Sequence, residues 1–181
     1  MPITWTSNPE ADRLLDENPL ALLIGLVLDQ QVRMEKAFSG PYELKQRLGH
    51  LDPARIAAMD PDALAAVFRD RPALHRFPGS MAARTQALCA QVVESYGGDA
   101  AGVWNDAADG AELSARIRRL PGFGDQKAKI TISVLAKKFG VKPAGWEQFA
   151  AGWHTVADVD SPESMEVARE TKRKMKADGA A

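Results

Sequence analysis

The segment Leu120-Pro121-Gly122-Phe123-Gly124-Asp125-Gln126-Lys127-Ala128 joins two helical patterns and decides the fold. One helix ends at Pro121, and a second begins after Gly124. Glycines at 122 and 124 permit positive φ and lack a Cβ atom, so backbone N–H groups at the start of the second helix can approach a phosphate. A Gly-x-Gly turn is also a common plain connector between helices, so its neighbours decide between the two interpretations.

The neighbours of this turn are strongly basic. Residues 113–142 contain eight Lys and Arg residues against Asp125 alone, a local charge of +7, although the whole chain carries only −1. This polarity predicts one face that binds a polyanion while the remainder stays acidic. The alternative is a solvated helix face that is rich in Lys and Arg.

Helix starts recur along the chain as Asn or Asp followed by Pro, because the polar side chain caps the helix and proline fits its first position. They stand at Asn8-Pro9, Asn18-Pro19, Asp52-Pro53 and Asp60-Pro61. The run 20–28 is apolar on most sides and predicts a buried central helix. No alternating β-branched run with a hairpin turn is present. We therefore expect an all-α fold, with an irregular segment at 140–160 before a last helix.

Composition excludes several classes of protein. With 181 residues, of which 45% are hydrophobic and 26% charged, the chain is neither disordered nor collagen-like. A single cysteine, Cys89, excludes a disulfide framework and a four-cysteine zinc or iron-sulfur site. His50, His75 and His154 lack metal-ligand spacing, so we expect no cofactor. Without a basic, apolar leader or a long apolar run, we expect a cytoplasmic protein that makes no membrane contact.

Three segments resemble one family in the correct order. The LPGFGDQKA segment is similar to the helix-hairpin-helix of the base-excision DNA glycosylase superfamily that includes endonuclease III and adenine glycosylase. Upstream, NPLALLIGLVLDQQV and FPGSMAARTQALCAQVV resemble two further helices of that superfamily. The resemblance covers roughly 15–140. It implies an all-α, two-lobed fold with double-stranded DNA at the mouth of the cleft. One lobe would span 19–130, and the other would combine 1–18 with 131–181.

The resemblance also implies a set of DNA-binding residues. Gln31 matches the polar residue that fills the gap left by a flipped base, and Gln30 is its neighbour; the alternative for both is plain helix surface. Asp29 departs from the small residue usual there, and could simply pair with Arg33 across one helical turn. The hairpin residues expected to contact DNA are Gly122, Phe123, Gly124, Gln126, Lys127 and Lys129.

A departure within the hairpin bears on the mechanism. Bifunctional members of the superfamily carry a lysine two residues after the second hairpin glycine, where its amine forms a Schiff base with the sugar. Gln126 occupies that position here. Lys127 is turned by about 100° around the helix, which predicts that it points elsewhere, toward phosphate. We therefore expect a monofunctional enzyme. The iron-sulfur cysteines of endonuclease III are absent as well, so no cluster is expected.

Base removal also requires a carboxylate beside the flipped nucleotide. Asp160, which begins a helix in the context Val-Asp-Ser, resembles the family's catalytic aspartate best, although it lies 36 residues after Gly124. Asp158 is its rival, and Glu147 has a more usual spacing without the right neighbours. Asp160 also fits a capping box of the last helix.

The aromatic residues of the same irregular segment have two interpretations. Trp146 and Trp153 could stack on an extruded base or fill the core. The resemblance therefore implies a monomeric, monofunctional DNA glycosylase whose lesion is left open. The alternative is a noncatalytic module of the same fold that binds damaged or distorted DNA.

Overall fold

The computed structural model describes residues 2–179, and the regular secondary structure in that range is helical. Nine α-helices are α1 Pro9–Glu17, α2 Pro19–Leu28, α3 Met34–Leu48, α4 Pro53–Ala58, α5 Pro61–Arg69, α6 Pro78–Tyr96, α7 Gly110–Arg118, α8 Asp125–Phe139 and α9 Pro162–Ala177, with short 3-10 helices at Ala100–Val103, Trp146–Phe149 and Val156–Asp158. The described residues form no strand; one isolated bridge joins Asp109 and Ala144. The all-α prediction is confirmed.

The predicted Asn-Pro and Asp-Pro helix starts are all present. The Asn18 side chain accepts hydrogen bonds from the N–H groups of Leu20 and Ala21, at 3.0 and 3.1 Å, and Pro19 occupies the first position of α2. Because proline has no N–H and its φ is already helical, the two residues together satisfy the otherwise unpaired donors of that end.

Helix α2 lies at the centre of the molecule, since all its residues after Pro19 are buried. It packs against α1, α3 and α6. Two glycines allow the closest approach between α2 and α3: a Cβ atom on Gly25 would lie 2.7 Å from a Phe38 ring carbon, and one on Gly40 would lie 2.4 Å from Leu28. The predicted buried helix is thus confirmed, and its end at Leu28 is held rigidly.

The predicted helix-hairpin-helix is formed by α7 and α8, which pack on each other. Gly122 has a φ of +87°, a conformation that favours glycine. Gly124, however, has a φ of −83° and caps α8 in an extended conformation. Gly124 therefore does not use the positive φ that a glycine permits. A Cβ atom there would meet no protein atom within 4 Å. The protein itself therefore does not require a glycine at this position, which borders open space at the N-terminus of α8.

The segment from 140 to 160 runs back along α8. The buried Lys138 side chain donates to the carbonyl oxygen of Val159 at 2.8 Å, and Lys137 forms an ion pair with Asp158. Helix α9 follows, and its Lys172 pairs at 2.7 Å with Asp29, which comes directly after α2. No helix within residues 2–179 is both long and apolar enough to cross a membrane. The division into lobes at 19–130 stays a prediction.

Candidate nucleic-acid interface

A cleft of about 930 Å³ opens where the end of α2 and the start of α8 face the 153–156 segment and α9. Its walls carry many more cations than carboxylates. The seven cationic side chains are Arg33, Arg76, Lys127, Arg169, Lys172, Arg173 and Lys176, and the two carboxylates are Asp29 and Glu166. Such a cleft attracts and holds a polyanion.

Lys127 lies in this cleft, in the first turn of α8. Its Nζ donates to the carbonyl oxygen of Val27, at the end of α2, over 3.3 Å. Burial of the ammonium lowers the pKa of Lys127 from 10.5 to about 8; the Asp29 charge opposes this, and Lys172 and Arg84 add to it. Lys127 and Gln126 both border the cleft at the start of α8, and the phosphate contact of Lys127 stays a prediction.

Asp29 caps the C-terminus of α2 and its side chain is only 10% exposed. Its Oδ1 accepts the 2.7 Å hydrogen bond of Lys172. The pairing expected with Arg33 is not formed, because α2 ends at Leu28 and the following residues do not complete a helical turn. A carboxylate therefore lies deep in the cleft at a position that sequence reasoning had treated as structural.

The two glutamines after Asp29 have different surroundings. The Gln30 side chain is held at both ends: its Nε2 donates to Val27 at 3.1 Å, and its Oε1 accepts from Arg84 at 2.9 Å. Gln31 is exposed and has a φ of +55°, an uncommon conformation for a residue with a side chain. Both line the cleft, and neither lies on a helix, so the plain helix surface interpretation is wrong.

His75 holds the backbone of this turn in place. Its Nδ1 accepts the N–H of Phe77 at 2.9 Å, and its Nε2 lies 3.1 and 3.0 Å from the carbonyl oxygens of Leu28 and Gln30. Nε2 is therefore the protonated nitrogen and donates to those carbonyls. Burial lowers the pKa of His75, which favours this neutral form.

The hairpin presents its amides to open space beside the cleft. No side chain caps α8, so its first N–H groups are free to bind an anion. Phe123 cannot take part as predicted, since its side chain is buried in the core and its N–H donates to Leu120 at 3.1 Å. Asp125 adds a negative charge at this helix start, and Arg118 neutralises it through an ion pair. Gln126 lines the cleft, whereas the exposed Lys129 does not.

Neither predicted catalytic aspartate lines the cleft. Asp158 is bound by Lys137 and by the Thr155 N–H, which is 2.9 Å from its Oδ2. Burial raises the pKa of Asp158, but these two hydrogen bonds outweigh it and the pKa is lowered. Asp160 is exposed and accepts a 3.0 Å hydrogen bond from Ser164 at the start of α9, close to the expected capping role. Trp153, in contrast, does line the cleft.

The basic segment 113–142 does not form one continuous face. Arg116 donates to the Gly102 and Asn105 carbonyls, and Lys137 and Lys138 bind the segment before α9. Much of the cationic lining comes instead from α9, four of whose five basic residues, at 169, 172, 173 and 176, face the cleft. Sequence reasoning missed them because their face is defined only when α9 lies across the cleft from the end of α2, where Lys172 reaches Asp29.

The remaining reactive side chains point to no metal or thiol chemistry. Burial raises the pKa of the Cys89 thiol to about 12, so it stays protonated and unreactive, as expected from its apolar neighbours. Within residues 2–179, no three His, Cys, Asp or Glu side chains come together in a way that could hold a metal ion.

Comparison with known proteins identifies one similar fold. No family model matches the chain, and no curated protein matches it. Among solved structures, the chain is similar to endonuclease III in a trapped covalent intermediate with DNA, an estranged-adenine complex. The two are 23% identical with a TM-score of 0.48, and the match covers 73% of this chain. The chain spans 57% of the length of that structure.

Proposed function

We propose that this protein is a base-excision DNA glycosylase that binds double-stranded DNA across the mouth of the cleft as a cytoplasmic monomer. It flips one damaged or mismatched base out of the duplex and cleaves the N-glycosidic bond. The observation that carries the proposal is the arrangement of Lys127 and Asp29, which lie in one cationic cleft directly beside the open N-terminus of the second hairpin helix.

The binding step follows from the charges. The free amides of the α8 start hold one phosphate, while the exposed cations of α9 hold the backbone around the flipped nucleotide. Gln31, which is exposed at the cleft and carries no side-chain hydrogen bond to the described residues, fills the gap that the extruded base leaves. Gln30 cannot do so without releasing Arg84. Trp153 offers an aromatic face to the extruded base.

The first candidate chemistry is hydrolysis, as expected from Gln126 at the position of the family's lysine. A carboxylate activates water against the sugar C1′ atom, and the base leaves without strand cleavage. Asp160 and Asp158 are poorly placed for this role because they lie outside the cleft.

A second candidate chemistry is amine attack, which the position of Lys127 favours. Its pKa of about 8 leaves a sizeable neutral fraction near neutral pH, and a neutral amine can attack C1′ to form a Schiff base. The strand would then be cut by β-elimination. Because both reactions could take place in the same cleft, they are distinguished by whether borohydride traps a covalent adduct between protein and DNA.

The test is base release from short duplexes that each carry one uracil, 8-oxoguanine, hypoxanthine, alkylated purine or A·G mismatch. Products are run with and without alkali, and in parallel with sodium borohydride. Strand breaks that need alkali, with no trapped adduct, establish hydrolysis. A trapped adduct that Lys127→Ala abolishes and Lys45→Gln keeps establishes amine attack. Tight, salt-sensitive binding without base release from any duplex identifies the noncatalytic module and overturns the enzyme.

A further inference from the structure

We propose that Asp29 is the catalytic carboxylate of this cleft, with Lys172 as its positioning residue. This inference rests on the proposed glycosylase function and assigns the group that activates the water. The catalytic role is thereby assigned to a carboxylate at the end of the central helix α2 and not to one in the segment that follows the hairpin.

The backbone of Asp29 is fixed from both sides. Its N–H donates to the Gly25 carbonyl at 3.0 Å and so continues the hydrogen-bonding pattern of the buried α2. On its other side, His75 binds the Leu28 and Gln30 carbonyls. A reacting group held by a buried helix end loses little freedom when substrate binds, which is what precise positioning requires.

The two oxygens of Asp29 differ in their surroundings. Oδ1 accepts from Lys172 at 2.7 Å. Oδ2 receives no hydrogen bond from residues 2–179, and it is not among the buried side-chain atoms that lack a partner, so it retains contact with the cleft. One oxygen thus anchors the group, and the other is open to a water molecule. The ion pair with Lys172 and the nearby Lys127 ammonium stabilise the negative charge.

The other carboxylates near the cleft are less suitable. Glu166 lines it but is 61% exposed and bound to Arg169 at 2.9 Å. Glu35 also pairs with Arg169 and does not line the cleft. Asp29 is therefore the one deeply placed carboxylate of the lining within the described chain.

The water oxygen forms a bond to C1′ of the flipped nucleotide, and its proton moves to Oδ2 of Asp29. The C1′–N bond breaks and its electron pair leaves with the base. The proton then passes from Asp29 to the departing base, directly or through water, and the carboxylate is restored. Before the proton moves, the carboxylate charge also stabilises the oxocarbenium character at C1′.

The experiment compares single-turnover base release and DNA affinity for Asp29→Asn, Asp158→Asn and Asp160→Asn. The matched control is Asp62→Asn, an exposed carboxylate of α5 outside the cleft. We expect Asp29→Asn to slow base release at least about 100-fold with DNA affinity kept. The other variants should stay close to wild type. A rate for Asp29→Asn near wild type overturns the assignment, and a selective loss in Asp160→Asn or Asp158→Asn moves it there.

Three further variants keep the test decisive if Asp29→Asn is poorly folded. Lys172→Gln, which leaves Asp29 in place, should slow release about tenfold, and Lys172→Arg should restore it because arginine also pairs with a carboxylate. In Asp29→Ala, added formate should raise the rate by supplying a carboxylate, an effect that a purely structural role would not produce. The proposal is overturned if Lys172→Arg does not restore the rate and formate does not raise the rate of Asp29→Ala. Wild-type protein that releases no base overturns the glycosylase function itself.

Discussion

The Nζ of Lys127 lies 3.3 Å from the carbonyl oxygen of Val27 and joins the start of α8 to the end of α2. The contact brings the amine to the end of α2, at a carbonyl group only two residues before Asp29. Because the carbonyl groups at a helix C-terminus carry partial negative charge, the ammonium is attracted there. Burial nevertheless lowers its pKa to about 8. The site therefore holds a charge at a cost to stability.

That cost predicts a pH-dependent stability. Between pH about 8 and 10.5 the folded chain binds fewer protons at Lys127 than the unfolded chain, so the free energy of unfolding rises with pH across that window. Below pH 8 both states are protonated and the full penalty applies. Lys127→Met should then be more stable than wild type at pH 7, by roughly 3 kcal/mol, and equal to it above pH 10.5. Urea unfolding at the two pH values measures this. A stability gain of the same size at both pH values would contradict it.

Asp158 predicts a dependence of the same sign but in the acidic range, where a favourable contribution to stability is lost as the pH falls. Its pKa is lowered by hydrogen bonds from Lys137 and Thr155 that outweigh burial, so it stabilises the fold above pH 3.8 and loses that contribution as pH falls through its lowered pKa. Asp158→Asn should reduce the free energy of unfolding at pH 7 by about 1 kcal/mol. The difference should vanish in acid. Base release should be unaffected, and a large loss of activity in a folded variant would argue for a catalytic role.

The sequence predicted elements that depend on local chemistry. Asn18 with Pro19 marks a helix start by capping alone, and the run 20–28 is apolar enough to require burial. The hairpin was located by Gly122, whose positive φ is a local requirement. In contrast, the roles of Asp29 and Lys127 depend on how distant helices meet. A cleft formed by α2, α8 and α9 cannot be located from any one of them.

The segment before α9 shows the same limit. Asp160 resembles a catalytic aspartate by its immediate neighbours, and it does lie at a helix start. The 3-10 helices of the preceding segment pack on α8. This packing determines where α9 starts, and it places that start outside the cleft. Trp153 is brought into the cleft by the same packing.

The two hairpin glycines predict separable effects. Gly122→Ala forces a side chain into the left-handed region and should cost about 1–2 kcal/mol of stability. Gly124→Ala is sterically allowed. Alanine is a poorer N-cap than glycine, which lowers stability, but it restricts the unfolded chain, which raises stability. The two effects oppose each other, so the free energy of unfolding should change by less than about 1 kcal/mol. The alanine Cβ would cover the α8 amides and weaken DNA binding about tenfold. Thermal unfolding and fluorescence anisotropy with a labelled duplex test the pair. Unchanged affinity in Gly124→Ala would exclude the phosphate site.

The exposed cations of α9 predict a change in salt dependence. Arg173 and Lys176 line the cleft without an ion pair to any described residue, so each can neutralise one phosphate. Replacing both with glutamine should reduce the slope of log affinity against log salt by roughly 2, since each phosphate contact contributes about 0.9. The matched control replaces Lys45 and Arg55, which are exposed but outside the cleft, and should keep the wild-type slope. Both double variants lose two positive charges, so they change the net charge equally and differ only in where the charges lie. Equal slopes for the two would therefore show that DNA does not bind in this cleft.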